Sequence, residues 1–355
     1  MNMKEYISEN DIVVFISEKY SLQVLEMTEM EGYEDFNLMV RVHIKPESAN
    51  DRAEKVYVLK ISHFSTDRHT LELQNKMLIH LTKHGIMTCT PQKTSSGAYT
   101  ELFTSQKDKK VYARLLDYVE GVTFEASGKP AYLLHPIGTL VGKVCNILQS
   151  FRFENYKPSS SPFDLHKALV VEEYIDKYLH GDTREMARQI LHQYTTKIQP
   201  VLDKLQQGFI IADINSRNII VKRLKDRNTP SDYVIAGVID LGDACKSVYL
   251  YEIAVVIGEL MSTSFCSINP LTVGKQLLAG IREHFEMTEL ELHLLKLCIC
   301  VRLVQVHLII ENIIHTQDTH KNIPYFEKCR HNFLKVCKQL WLISDEDFTD
   351  IVINK

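Results

Sequence analysis

The sequence predicts an α+β chain in two parts, a small N-terminal lobe built on an antiparallel sheet and a larger, mainly helical C-terminal lobe. Three observations carry that expectation. Through about residue 120, short segments alternate apolar and polar residues with the two-residue period of half-buried strands, whereas from Leu133 on the apolar residues recur every three or four. At 355 residues the chain is longer than one hydrophobic core usually serves. Its 45% hydrophobic and 24% charged content is that of a packed globular protein, which excludes disorder over most of the length. The boundary is expected near residue 118, giving lobes of 1–118 and 119–355.

The elements follow in order. Asp11–Tyr20 has the spacing of a short amphipathic helix. Leu22–Met27, Asn37–Ile44, Val56–Ile61, Tyr99–Phe103 and Val111–Asp117 carry the Val, Ile and Tyr content of strands, with turns at Gly32, Lys45–Arg52 and Ser95–Gly97. Asp67–His84 interrupts them as a helix with Leu71, Leu78, Ile79 and Leu81 on its period. Beyond Leu133 the expected helices are Leu133–Phe151, Leu169–Leu179, Arg184–Gln207, Tyr249–Met261, Leu271–His284, Leu290–His315 and Tyr325–Leu342. Glu154–Pro162 reads as a loop. Two short strands, Asn218–Lys222 and Val234–Ile239, are joined by the charged segment Arg223–Asp232.

Charge and composition exclude several classes. Forty-one basic against 45 acidic residues give a net charge of −4, so no basic field points to nucleic acid or an anionic membrane. The long apolar stretches are interrupted by Glu252, Glu259, Lys296, Arg302 and Glu311, short of the ~18 uninterrupted apolar residues of a membrane span. The start, MNMKEYISENDIVVF, is charged too early for a secretory signal. Eight cysteines without a CxxC pair are too sparse for a disulfide framework and predict reduced thiols in a cytoplasmic protein. Oligomeric state leaves no trace in the sequence.

The strand pair carries the chemistry. Before it stands Ile211-Ala212-Asp213-Ile214-Asn215-Ser216-Arg217-Asn218, and after it Val238-Ile239-Asp240-Leu241-Gly242-Asp243. Phosphoryl transfer to a hydroxyl needs a carboxylate to orient the nucleophile and take its proton, and an Asn and an Asp to hold Mg²⁺ against the nucleotide phosphates. Asp213, Asn218 five positions later and Asp240 after two apolar strands supply that set. Asp and Asn are also common in turns and caps, so any one of them alone would say little.

The small lobe offers partners. Lys60 ends the run Val58-Leu59-Lys60-Ile61, and Glu72 follows in the next helix; a strand lysine on the α- and β-phosphates, oriented by a helix glutamate, would complete the set. The alternative is a strand-end lysine reaching solvent beside a surface glutamate. Glu31-Gly32-Tyr33-Glu34-Asp35-Phe36-Asn37, ending on Asn37, is a candidate nucleotide loop, although its single glycine suits an ordinary turn equally well. Leu115–Gly121 reads as the lobe connection, where backbone groups of Asp117 and Val119 could pair with a purine edge.

EGYEDFNLMVRV, YVLKI, LELQNKMLIHL, YARLLDYVEG, FIIADINSRNIIV, AGVIDLGDA and YLYEIAVVI run along nearly the whole chain in the order of the aminoglycoside-phosphotransferase and choline-kinase superfamily, which the sequence resembles. The resemblance implies a protein-kinase-like two-lobed fold and a small-molecule kinase, with Asp213 as catalytic base, Asn218 and Asp240 as Mg²⁺ ligands, and Lys60 on the phosphates with Glu72 as its partner. It further implies GTP or ATP as phosphoryl donor and an amino alcohol or hydroxy-amino acid as acceptor, 5-hydroxylysine first, with choline, ethanolamine, homoserine or an aminoglycoside as alternatives.

One departure stands out. The superfamily has His-Gly-Asp where this chain has Ile211-Ala212-Asp213, so alanine must take a backbone conformation that glycine permits more easily. A nucleotide-binding module without transfer activity is the second reading. For the acceptor, Asp243 and Glu252 are candidate carboxylates for a cationic amine, with anchoring of the loop the alternative for Glu252. Arg302 is a candidate for an amino-acid carboxylate, or else a salt-bridged core arginine. Arg217 either neutralises the transferring phosphoryl or faces solvent. His307, Glu311 and His315 share one helix face but span about 12 Å along it, too far for one metal ion, and read as a polar face.

Overall fold

The computed structural model describes residues 6–30, 32, 35–44, 53–105, 110–224, 233–262, 268–316 and 323–354, with the backbone alone over 323–329. Glu31, Tyr33 and Glu34 of the candidate loop, the turn at 45–52, most of Arg223–Asp232 and Cys266 lie outside the described residues. The chain divides into two compact units, Met1–Glu120 and Gly121–Lys355.

The N-terminal unit opens with helix α1 (Glu9–Tyr20), started by a reciprocal cap in which the Ser8 hydroxyl accepts from the Asp11 N–H and the Asp11 carboxylate accepts from the Ser8 N–H. Strands β1 (Gln23–Met30), β2 (Phe36–Ile44), β3 (Ala53–Ile61), β4 (Glu101–Thr104) and β5 (Lys110–Asp117) form one antiparallel sheet in the order β1-β2-β3-β5-β4. Ile12, Phe15 and Ile16 of α1 cover one face, meeting Leu38, Val40, Leu59, Ile61, Ala113 and Leu115. Side chains alternate across a strand, so Asn37, Lys60 and Arg114 occupy the other face. The register sets them in a row, Asn37 opposite Lys60 and Lys60 opposite Arg114. Helix α2 (Arg68–Lys83), capped by the Asp67 side chain on the Thr70 N–H, packs on that face. The Arg114 guanidinium donates to the Asn75 and Gln74 side chains at 3.0 and 2.8 Å.

The C-terminal unit holds a three-stranded sheet of β6 (Val122–Thr123), β8 (Ile219–Arg223) and β9 (Tyr233–Val238), and a two-stranded ribbon of β7 (Gln207–Ile210) and β10 (Cys245–Val248). Around them lie helices α3 (Leu134–Leu148), α4 (Glu172–Tyr178), α5 (Gly181–Gln193), α6 (Tyr249–Ser262), α7 (Pro270–Arg282), α8 (Glu289–Thr316), α9 (Ile323–Leu342) and α10 (Asp345–Phe348). α6 and α8 are apolar nearly all round because both run through the core. α8 is long and apolar enough to cross a bilayer by length alone, but most of its surface is buried within the protein. α3 and α7 touch backbone to backbone: a Cβ at Gly142 would collide with the Ile281 carbonyl.

Two expectations need correction. The helix expected over Arg184–Gln207 is α-helical only to Gln193; it widens into a π-turn over Tyr194–Ile198, tightens into a 3-10 turn over Gln199–Lys204 that contains Pro200, and then gives way to β7. His307 and Glu311 are buried rather than on a polar face: the Glu311 carboxylate accepts from Arg330 at 2.8 Å, and the His307 ring meets the Arg330 carbonyl at 3.0 Å. Six cysteines are described, all buried free thiols.

Candidate active site

Antiparallel pairing of β8 and β9 brings the ends of the strand pair together. Ile219 faces Val238, and the Ile239 N–H donates to the Asn218 carbonyl at 2.8 Å, so Asn218 before β8 and Asp240 after β9 leave the sheet side by side. The loop from β7 to β8 carries Asp213. Its two carboxylate oxygens accept from the Asn215 and Asn218 side-chain amides at 2.9 and 2.7 Å, and Asn218 also donates to the Asp213 carbonyl at 2.9 Å. The Asn215 side-chain oxygen takes the N–H groups of Arg217 and Asn218. Asp213 is therefore held on both oxygens before any ligand arrives.

Two glutamates fix this loop to the unit. Glu252, on the first turn of α6 and 1% exposed, accepts the N–H groups of Ile211 and Ala212 on one oxygen at 2.5 and 3.1 Å. Glu125, beyond β6, accepts from the Ser216 hydroxyl at 2.9 Å while its own N–H donates to the Ser216 carbonyl. Ala212 has φ +64°, in the left-handed region that glycine enters freely and a side chain does not. The Cβ costs ~1–2 kcal/mol there, against ~0.4–1 kcal/mol for the extra freedom glycine brings to the unfolded chain. Ala212→Gly is expected to raise stability by about 0.5 kcal/mol in urea unfolding; a loss of stability would mean that the backbone is unstrained.

The carboxylates are mutually unfavourable. Burial, then Asp243, and further Glu259 and Asp240 push the Asp213 acid well above the usual aspartate range, while Arg302 pulls it down. Asp240, also at positive φ (59°), accepts the Gly242 N–H on its side chain at 3.0 Å, a turn that aspartate tolerates. Among the described residues no three His, Cys, Asp or Glu side chains form a ready-made metal cage. The donor set itself, one carboxylate from Asp240 and one amide oxygen from Asn218, fits Mg²⁺, which takes one or two carboxylates, keeps waters and shares the substrate's phosphates. The Asn218 Nδ2 is spent on Asp213, so its Oδ1 is the atom on offer to a cation, beside the Asp240 carboxylate.

Several expected site residues stand elsewhere. Glu252 does not offer a carboxylate to an amine: its bonds are to the loop backbone, and burial raises its pKa to about 7. Arg302 is not open to a substrate carboxylate. It is 2% exposed, paired with Glu259 at 3.2 Å and donating to the Phe163 carbonyl at 2.8 Å, a buried ion pair inside the unit. Arg217 is half-buried and contributes its N–H to the loop. Asp243 stays with Asp213 as its strongest acidic neighbour.

In the N-terminal unit the expected Lys60–Glu72 pair is absent. Glu72 faces outward on α2, bridged to Arg68 at 3.3 Å, while the Lys60 ammonium meets Asp35 at 3.3 Å. The helix period explains this, because α2 buries Leu71, Gln74, Asn75 and Leu78 and leaves Glu72 on the far side. Asn37 lies next to Lys60 in the sheet row. Asp117 cannot offer its N–H to a purine: that group donates to the Thr90 carbonyl at 2.8 Å, and its carboxylate binds Lys55 and Gln92, both at 2.9 Å. Val119 is buried by its side chain in the connection after β5. Sequence reasoning missed Asp35 and Glu125. Asp35 is an acid just ahead of β2, and only the β2–β3 register shows which end of β3 it meets.

The chain is similar to mouse hydroxylysine kinase, 24% identical over 310 residues, which cover 85% of this chain and 81% of the relative. Among solved structures it is similar to an amicoumacin kinase in complex with AMP-PNP and Ca²⁺, with TM-score 0.70, 14% identity, and 98% and 99% of the two chains covered. A microcompartment-associated aminopropanol kinase has the same TM-score at 12% identity, covering 94% and 97%. The model of the phosphotransferase enzyme family matches residues 48–293, a span that takes in β3, the Asp213 loop, the Asp240 turn and α7 and reaches the first turn of α8. The chain belongs to that phosphotransferase enzyme family.

Proposed function

We propose that the alcohol accepted by this phosphotransferase is the side-chain hydroxyl of a hydroxy-amino acid or amino alcohol, 5-hydroxy-L-lysine first, and that the donor is GTP, with ATP as the alternative. The observation that carries the reading is the meeting of Asp213, Asn218 and Asp240 at the matched ends of β8 and β9. In this reading Asp213 orients the acceptor hydroxyl and takes its proton. Its raised pKa makes it a stronger base than a free aspartate, and Asn215 and Asn218 fix where its oxygens point. Glu252 and Glu125 hold the loop at its two ends. Asn218 and Asp240 would hold the Mg²⁺, which when bound neutralises charge on the nucleotide phosphates. Lys60 serves the α- and β-phosphates, and the Asp117–Val119 connection faces the purine through groups other than the Asp117 N–H. Asp243 is the candidate contact for an acceptor amine. The free thiols support a reducing compartment, the cytoplasm. Similarity to hydroxylysine kinases supports the acceptor.

The test is a panel of amino alcohols and hydroxy-amino acids incubated with Mg-GTP or Mg-ATP, with phosphorylated product read by mass. Product from 5-hydroxylysine, more with GTP, is expected; product only from choline, ethanolamine, homoserine or an aminoglycoside would replace the acceptor. Asp240→Ala is expected to weaken Mg-nucleotide binding at least tenfold in calorimetric titration, and Asn218→Ala less, because the amide brings no charge. Equal affinity for wild type and Asp240→Ala would remove Asp240 from the metal site.

A further inference from the structure

We propose that Asp35 is the positioning residue for Lys60, the carboxylate that aims its ammonium at the nucleotide phosphates; the inference rests on the reading of Lys60 as a phosphate ligand. Four observations within the N-terminal unit lead to it. The Lys60 ammonium lies 3.3 Å from the Asp35 carboxylate, with side chains only 12% and 20% exposed, so the pair is shielded from the screening that makes surface pairs weak. The other Asp35 oxygen accepts the His63 N–H at 2.8 Å. A backbone group just past β3 thereby fixes the carboxylate, and the lysine meets a rigid partner. The register imposes this arrangement: Phe36 pairs with Ile61, so the residue before β2 lies beside the residues after β3, and Lys60 is one position inside that end. Finally, α2 meets the Lys60 face through Gln74 and Asn75, both bonded to Arg114, while Glu72 is turned away to Arg68.

These contacts divide two tasks that a single lysine–glutamate pair would combine. Arg114 docks α2 on the sheet, and Asp35 orients Lys60. An ammonium carries three N–H donors, so a carboxylate that takes one from the β2 side constrains the direction of the others. The same carboxylate ties the strand that follows the candidate nucleotide loop to the turn that follows β3. Orientation of Lys60 thus depends on where β2 begins, not on the rotation of α2.

Calorimetric titration with Mg-GTP and Mg-ATP on the full chain tests this, using Lys60→Met, Asp35→Asn, Glu72→Gln and the double variant Asp35→Asn/Lys60→Met. The expected result is a dissociation constant about tenfold higher for Asp35→Asn, the scale of one charge-assisted contact, and within twofold of wild type for Glu72→Gln. In the Lys60→Met background Asp35→Asn should change nothing further, since a residue acting through the lysine has no effect without it. A merely structural role for Asp35 would persist in that background, and that outcome overturns the proposal. So does a Glu72→Gln loss matching or exceeding that of Asp35→Asn, which would mean that α2 turns Glu72 inward when nucleotide binds. Unchanged binding by Lys60→Met would instead remove the phosphate role of Lys60, and the proposal with it. Melting curves of the four variants without nucleotide identify any that fail to fold; Asp35→Glu then serves as the second variant and should recover most of the affinity.

Discussion

Asp213→Asn is expected to lower kcat by about 10²–10⁴, the usual worth of a positioned general base, while the dissociation constant for Mg-nucleotide stays within a few-fold. The asparagine keeps the size of the side chain and one acceptor oxygen but cannot take a proton. Near-normal turnover by the variant would exclude Asp213 as the base. The pH profile gives an independent reading. Only the ionised acid accepts a proton, and burial together with Asp243, Glu259 and Asp240 holds Asp213 protonated to higher pH than a free aspartate. The acidic limb of kcat/KM in the free enzyme should therefore lie above the ordinary aspartate range, with activity rising as pH rises through it. The limb of kcat at saturating Mg-nucleotide reports the same acid in the bound complex. A limb near pH 4 in both would contradict the crowding of acids around Asp213.

Glu252→Ala should produce the largest loss of stability, about 2–5 kcal/mol by denaturant unfolding, because two buried N–H groups, those of Ile211 and Ala212, lose their acceptor and each costs ~1–3 kcal/mol. Activity should fall with it, since Asp213 is the next residue on the loop. Glu252→Gln keeps an acceptor oxygen for both amides and should retain more of each. The second Glu252 oxygen is buried without a hydrogen-bond partner among the described residues, and burial raises the acid's pKa from 4.5 to about 7. The folded protein then binds a proton that the unfolded chain releases between those values. The contribution of Glu252 to stability is fully present below about pH 4.5 and declines as pH rises to about 7. Unfolding free energies measured from pH 4.5 to 7.5 should show a smaller decline for Glu252→Gln than for wild type; parallel curves would place the titration elsewhere.

Both variants act on a loop whose candidate residues were legible in the sequence and whose support was not. Asp213, Asn218 and Asp240 could be found because two apolar strands fix their separation, and the antiparallel ribbon brings its ends together whatever surrounds it. The alanine at 212 announced strain, and the structure shows it at φ +64°. The residues that brace the loop are remote in sequence: Glu125 lies 91 positions from Ser216, and Glu252 lies 41 from Ile211. Glu252 and Arg302 illustrate the difficulty. A carboxylate and a guanidinium within apolar helices suit a substrate as well as a buried partner, and only the bonds to Ile211, Ala212, Glu259 and Phe163 decide between them.

The sequence by itself determined the two-part α+β architecture, the order of its main helices and strands and the spacing of the candidate acidic and amide groups, because hydrophobic period and motif spacing are local properties. The short strands β6, β7 and β10 were beyond it, since two to four residues carry no period of their own, and so was the change from α to π and 3-10 turns after Gln193. Tertiary structure alone decided the partners of the charges. Lys60 could meet Glu72 or Asp35 with equal chemical sense. The choice fell to Asp35 because the β2–β3 register carries it to the end of β3, while the turn of α2 that buries Leu71, Gln74 and Asn75 points Glu72 outward. A charge in a sequence has no direction; a direction exists only once a strand has a register and a helix a buried face.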